Sequence, residues 1–267
     1  MEADTKIHSE VAQDFSLRKI AHLLEEYVPP PAEGFDPAGD WQQRYTMFVI
    51  QPNAGVKKGG FLLERQAKGA RDFLLTVRTR RLGNSGFSQF QHAEMQCRSD
   101  LLATPVSWIF DTKMAHEAAD PPYLLSGRRR SANVAGGILL VRDTLRISRT
   151  MMPGPYSNEW TLLEAIQRMP GRSMQEVEYT LIDEYDTPQP GHRLSYRTQA
   201  QVTFQSGPAQ LTAFCDLGRA LVPTVYWVDE HHRLIFVCTG LMVYALTETN
   251  GRSGSCPNHY PAYSTEA

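Results

Sequence analysis

The 267-residue chain lacks an excess of charge of either sign: 27 Lys and Arg stand against 29 Asp and Glu, a formal net charge of −2. That balance excludes a dedicated binder of nucleic acid or of an anionic membrane surface, which needs a clustered positive excess. No apolar run approaches the ~20 residues of a membrane-spanning helix. Cysteine is scarce, and Cys97, Cys215, Cys238 and Cys256 include no C-x-x-C spacing, which excludes a zinc ribbon or a dithiol redox motif. The first three read as small buried thiols within strands, and a disulfide would require an exported protein. Nucleotide motifs are missing too. Ala54–Gly60 is glycine-rich and basic but lacks the G-K-[ST] ending, and Gly83-Asn84-Ser85-Gly86 falls one residue short of a G-x-S-x-G elbow. Both read as turns between strands. Neither a fixed-period repeat nor a β-α-β alternation is visible, which argues against solenoids and parallel sheets. The opening MEADTKIHSE has neither the basic nor the apolar part of a secretion signal. Two readings follow: a periplasmic or otherwise exported protein whose leader has been removed, or a cytoplasmic one.

What the chain has is strand-like text. From Arg193 to Gln205, Leu194, Tyr196, Ala200, Val202 and Phe204 alternate with Arg193, Arg197, Gln199, Gln201 and Gln205. Period-2 alternation describes a strand with a dry face and a wet face. At roughly 3.3 Å per residue this strand would reach about 40 Å, the length found in large curved sheets. Further strands are expected at 46–52, 61–67, 73–80, 87–100 and 107–113. Leu139, Val141, Leu145 and Ile147 would lie on one side of the next strand, which Asp143 interrupts with a bulge or turn. Strands from EVEYTLIDEY, AQLTAFCDL, VPTVYWV and RLIFVCTGLMVYAL complete a set of about ten. Residues 114–136 read as a long irregular loop.

Two helices are expected. Residues 14–27 set Leu17, Ile20, Ala21 and Leu24 at helical spacing, with Asp14 or Ser16 as N-cap and Val28–Pro31 as the stop. Residues 157–169 set Trp160, Leu163, Ile166 and Met169 in a stripe, capped by Ser157 and ended by Pro170-Gly171. The organisation is therefore an N-terminal helix and proline-rich linker (1–40), an antiparallel β half-barrel with an inserted helix near 157–169 (41–247), and a flexible tail (248–267). The fold class is mainly β: one large curved antiparallel sheet forming a half-open barrel, with both helices as covers for its concave face.

The polar clusters carry simpler structural readings. Asp229-Glu230-His231-His232 offers two imidazoles and two carboxylates, but neighbouring residues point different ways and the segment sits in a turn. His92 with Glu94 and His116 with Glu117 are isolated pairs. Arg128–Arg130 with Arg78, Arg80 and Arg81 could grip an anion or instead form a wet face. Asp183, Glu184 and Asp186 supply paired carboxylates of the kind a glycosidase uses, at a strand end where a turn also explains them. No catalytic residue, metal ligand or cofactor is assigned.

The closing hairpin, Tyr226-Trp227-Val228-Asp229-Glu230-His231-His232-Arg233-Leu234-Ile235, is similar to the Y-W-[VI]-D-x-x-G-R-L hairpin of LolA/LolB-like lipoprotein carriers and related uncharacterised bacterial exported families, with His232 at the glycine position. The layout of residues 41–247 resembles their half-open barrel with helices over its mouth. That resemblance implies a concave apolar face that binds acyl chains. The leading expectation is accordingly a non-enzymatic protein that holds a lipid, acyl chain or other hydrophobic small molecule. Its candidate lining residues are Phe73, Leu75, Val77, Trp108, Phe110, Leu145, Ile147, Tyr196, Val202, Phe204, Tyr226, Trp227 and Phe236. Core packing is the competing account for each aromatic. Two alternatives differ in class: a hydrolase or lyase acting on a carbohydrate or ester, built from His92, Glu94, His116, the arginines or the 229–232 turn, and a partner-binding module using exposed strand edges.

Overall fold

A computed structural model describes residues 14–51, 54–83, 87–116, 123–134, 137–142, 147–151, 154–185, 187–218 and 222–250. Helix α1 (Phe15–Leu24) precedes eight strands: β1 (Trp41–Gln51), β2 (Ala54–Ala67), β3 (Asp72–Leu82), β4 (Phe87–Arg98), β5 (Pro105–His116), β6 (Tyr123–Val134), β7 (Gly137–Arg142) and β8 (Ile147–Met151). After β9 (Tyr156–Asn158) comes helix α2 (Glu159–Ala165). The chain then adds β10 (Val177–Asp183), β11 (Thr187–Phe204), β12 (Gly207–Leu217), β13 (Thr224–Val228), β14 (Leu234–Thr239) and β15 (Met242–Asn250).

All fifteen strands belong to one sheet, ordered β8-β7-β6-β5-β4-β3-β2-β1-β15-β14-β13-β12-β11-β10-β9. It is a meander in two halves, antiparallel except where β9 runs parallel to β10. The halves meet in the middle, where β1 pairs with β15 and Gln42 lies opposite Asn250. The sheet is strongly curved but not closed by a ladder. Side chains bring the curl round instead: Tyr156 donates to the Pro105 carbonyl at 2.9 Å, and Ser157 to the Leu102 carbonyl at 2.7 Å. The Trp108 indole reaches the Tyr185 carbonyl at 3.1 Å, and the Phe110 and Tyr185 rings stack at 4.3 Å.

The mainly β, half-open architecture is the one the alternation foretold, with corrections in detail. Residues 123–134 form a strand rather than part of a loop. Its arginines hide the alternation, because Arg128 and Arg130 are exposed, with Arg128 paired to Asp111 across the ladder at 2.6 Å. Gly55–Gly60 is no turn but lies inside β2. Leu139 and Val141 share a face of β7, but it is the less buried one. β7 ends at Arg142, and its buried residues are Ile138 and Leu140. Asp143 and Leu145 fall outside the described residues, as do the Ile147 side chain, Asn84–Gly86, Cys256 and 251–267.

The long strand holds the largest surprise. β11 runs for 18 residues, but a bulge interrupts it: Tyr196 faces Phe214 while Thr198 faces Ala213. The extra residue moves the dry side from one face of the sheet to the other. Before the bulge, Leu194 shares its face with the row Phe214, Tyr226, Val237, Tyr244, here termed inner. After it, Ala200, Val202 and Phe204 join the row Ala213, Trp227, Phe236, Ala245, the outer face. The sheet is therefore dry on both faces here, consistent with the unbroken apolar text of β13 and β14.

The two helices cover opposite faces, not one. α1 lies on the outer face, burying Leu17, Ile20 and Leu24. The Trp227 indole donates to Ser16 Oγ at 2.9 Å, and Tyr27 packs against Phe204 and Phe236 at 5.1 and 4.7 Å. Asp14 caps the helix and accepts from Arg197 at 2.8 Å. Burial raises the Asp14 pKa, but hydrogen bonds from Ser16 and Arg197 outweigh it and hold the carboxyl below its usual 3.8. A depressed carboxylate contributes stability above its unfolded pKa and loses it as pH falls through the folded one. Asp14→Asn keeps a competent cap, so it should cost about 0.2–1 kcal/mol at pH 6, the range of a part-exposed ion pair. The gap in urea midpoint should vanish once pH drops through the depressed pKa. A gap that persists there would assign the loss to something other than this charge.

α2 lies on the inner face and is buried on nearly every side. Its cap is Asn158, which accepts from Thr161 N in a reciprocal capping box, whereas Ser157 is diverted to Leu102. The α-helix is shorter than expected and tightens to a 3-10 turn at Ile166–Arg168. Its polar groups are met by the sheet and by its own last turn. Glu164, fully buried, receives Arg65 at 2.8 Å and Arg168 at 2.8 Å, and Gln167 bonds Gln43 at 2.8 Å.

Candidate functional site: a cavity between α2 and the inner wall

α2 does not fill the concavity. A cavity of about 440 Å³ remains between its first two turns and strands β10–β15. The inner row supplies Tyr226, Val237 and Tyr244, α2 supplies Glu159, Trp160, Leu162 and Leu163, and β10 supplies Leu181 and Asp183. Gln189, His192, Asp216, Thr224 and Thr239 complete the polar part of the lining. Apolar walls with a few convergent polar groups are the usual make-up of a small-molecule site, and the volume falls in the range of ~300–1,000 Å³ such sites occupy.

Two titratable arrangements face this space. His192 Nδ1 lies 3.0 Å from both oxygens of Asp216, which also accepts from the Tyr179 hydroxyl at 2.7 Å. The carboxylate thus holds the imidazole proton on Nδ1. On the other ring nitrogen, His192 Nε2 is 3.4 Å from Gln189 Oε1. Glu159 is the second arrangement. It opens the helix beside its Asn158 cap, with protein around it and its side chain exposed to the cavity. Burial pushes its carboxyl up to about 7; Arg81 opposes the shift, while Asp183 and Glu184 add to it. The Trp160 indole also favours the charged form, although its buried Nε1 makes no full hydrogen bond.

A second cavity of about 390 Å³ lies on the far side of Tyr244, which lines both. Its walls include Val49, Met114 and Met242, and its charged groups are Lys58 and Arg81. The two compartments therefore differ in sign: carboxylates on one side of the Tyr244 ring, cations on the other.

Of the residues expected to line a cavity, Tyr226 does so. Phe73, Leu75, Val77, Trp108 and Phe110 are on the inner face but pack solidly, each at most 2% exposed, around Tyr185 and the α2 entry. Phe204, Trp227 and Phe236 lie on the outer face with Val202, where α1 and the Tyr27 ring cover them. Tyr196 is half-buried against Phe214.

The polar clusters scatter. His92 pairs loosely with Glu94 at 3.7 Å along β4, and His116 packs on the Phe87 ring at 4.4 Å. In the 229–232 turn, Asp229 accepts from the backbone of His231 and Arg233 and pairs with the Arg233 guanidinium at 2.7 Å. His232 has φ 62°, the left-handed conformation that a glycine adopts without cost at this place in the hairpin. None of these groups lines either cavity. Asp183 alone of the expected carboxylates does so, while Glu184 turns to Arg129 at 3.4 Å and Asp186 lies outside the described residues. Cys97, Cys215 and Cys238 are free thiols, and burial pushes Cys238 up to about 12. Among the described residues, no group of three or more His, Cys, Asp or Glu is placed to hold a metal ion.

Sequence reasoning missed Glu159, His192 and Asp216. His192 stands two residues before Leu194, on the dry parity of the long strand, and Asp216 interrupts the apolar end of LTAFCDL. A polar residue at a dry position was the signal.

Comparison with known proteins adds the fold. No family model and no curated protein matches the chain. The chain is similar to the crystal structure of a β-barrel-like protein of the domain of unknown function DUF1849 from Brucella abortus, with a TM-score of 0.54 and 10% sequence identity. The match covers 80% of this chain and 98% of that one. At such identity the likeness concerns architecture alone, and it places the chain among β-barrel-like folds.

Proposed function

We propose that the protein is a non-enzymatic binder of a small, largely apolar ligand, held in the cavity between α2 and the inner wall. The supporting observation is the space itself: about 440 Å³ walled by Leu162, Leu163, Leu181, Val237 and two tyrosines. Each CH₂ removed from water contributes about 0.8 kcal/mol, so a chain of modest length binds usefully there. The hairpin resemblance to lipoprotein carriers agrees with this reading.

N-phenyl-1-naphthylamine, which fluoresces in apolar surroundings, provides the test. The protein should bind it at micromolar concentration, and Val237→Phe, which fills the cavity, should weaken binding at least tenfold. Phe204→Leu, on the outer face, serves as the comparison variant and should change affinity less than twofold. Equal binding by wild type and V237F would show that the probe sits elsewhere and remove the basis for this function.

A further inference from the structure

We propose that the cavity selects ligands carrying a protonated amine, with the Glu159 carboxylate as the counter-charge; this inference rests on the apolar-ligand reading. The charged groups among the described lining residues are carboxylates, with His192 committed to Asp216. Of the described cations, Lys58 and Arg81 line the other compartment beyond Tyr244, and Lys19 is held by the carbonyl of Gly240, a lining residue whose backbone oxygen it takes up. Asp216 is engaged by His192 and Tyr179, and Asp183 accepts from Gln189 at 2.9 Å. Glu159 by contrast forms no ion pair within the described structure and exposes its side chain to the cavity.

A separate observation points to a ligand group. Tyr226 is 4% exposed and faces the cavity, yet its hydroxyl makes no hydrogen bond with the described protein. The ring is buried while the hydroxyl stays accessible from the cavity, where a ligand donor can reach it. An ammonium offers three donors, which both a carboxylate and a tyrosine hydroxyl accept, and the Trp160, Tyr226 and Tyr244 rings give a cation further favourable surface. An alkyl chain attached to it would lie against Leu162, Leu163 and Val237. An anionic head would find neutral donors such as the Trp160 indole, but the charges it would meet in the lining are carboxylates.

The groups acting on Glu159 set the pH response: Arg81 from β3, Asp183 and Glu184 at the end of β10, and the neighbouring Trp160. Its own charge in turn acts on Tyr185, Tyr226 and Tyr244. With the carboxyl pushed up to about 7, Glu159 is charged above that pH and neutral below it. Amine recognition should therefore strengthen from pH 6 to pH 8.

Decylamine, decanol and decanoate, competing with N-phenyl-1-naphthylamine, test this. At pH 8 decylamine should displace the probe at a concentration at least tenfold below that of decanol, with decanoate weakest. At pH 6, where decylamine remains protonated, its advantage over decanol should shrink several-fold. Glu159→Gln should reduce that advantage to within about twofold at both pH values. Equal displacement by all three compounds, or an amine preference that survives E159Q, overturns the amine assignment and leaves the cavity as a ligand site. Displacement by none of them, with the probe itself unbound, overturns the apolar-ligand reading as well.

Discussion

Gly59→Ala should cost more than about 4 kcal/mol and leave little folded protein, a loss reserved for collisions that nothing nearby can relieve. Gly59 lies within β2, paired to Met47 on one side and Arg81 on the other, at φ +128°. A Cβ there would stand 1.9 Å from the Arg80 carbonyl oxygen, a backbone atom held by the neighbouring ladder. The glycine thus serves as the point where β1 slips register between Met47 and Phe48. Gly69 provides the contrast. Its φ of +101° is as unusual, but nothing lies within 4 Å of its Cβ position. Gly69→Ala should cost only about 1 kcal/mol, the conformational strain alone. Urea unfolding of both variants separates collision from strain. A Gly59→Ala protein within 1 kcal/mol of wild type would mean that β2 and β3 can part at this point.

Glu164→Ala should destabilise the protein by about 3–5 kcal/mol, because it strands a buried cation. Arg65 is 2% exposed, lies 4.5 Å above the Phe73 ring, and has Glu164 as its carboxylate partner. Arg168 shares that partner but is more open to water, so Arg168→Ala should be milder. Arg65→Met combined with E164A removes both charges, and much of the lost stability should return. The double variant therefore distinguishes an unpaired charge from a simple cavity. If E164A costs under 1 kcal/mol, water must reach Arg65 when its partner is gone. This cluster also fixes the α2 backbone that carries Glu159 and Trp160 into the cavity, so E164A should weaken probe binding too.

The curved sheet was legible because alternation is a local property: Phe73, Leu75 and Val77 declare an inner face without reference to any other strand. What local pattern could not convey is which side of a sheet a dry face occupies after a bulge. Leu194 and Val202 share parity in the sequence, but one extra residue between Tyr196 and Thr198 sends them to opposite faces. The expected lining thus mixed wall residues such as Tyr226 with Phe204 and Trp227, which belong beneath α1. The polar part of the site was hidden for a different reason. His192 and Asp216 sit 24 positions apart, and only the β11–β12 register brings them together. Glu159 looked like an ordinary acidic residue of a first helical turn, since nothing local shows that the helix opens into a concavity. β6 escaped because exposed arginines replace the apolar residues by which a strand announces itself.

The seam between β1 and β15 has a consequence for how this chain must fold. Every other antiparallel pair in the sheet joins strands adjacent in sequence, and such hairpins can form as soon as both arms exist. The central pair does not: Gln42 awaits Asn250, and Val49 awaits Met242. Contacts of this span are the ones that slow folding, because the intervening chain must be ordered or looped before they can close. During synthesis β1 therefore keeps an open edge until the last strand is made, with Trp41, Tyr45 and Met47 among the residues that await their final burial. The middle of the finished sheet is thus the last part that a nascent chain can complete, and the interval before it closes is when this protein would most need a chaperone.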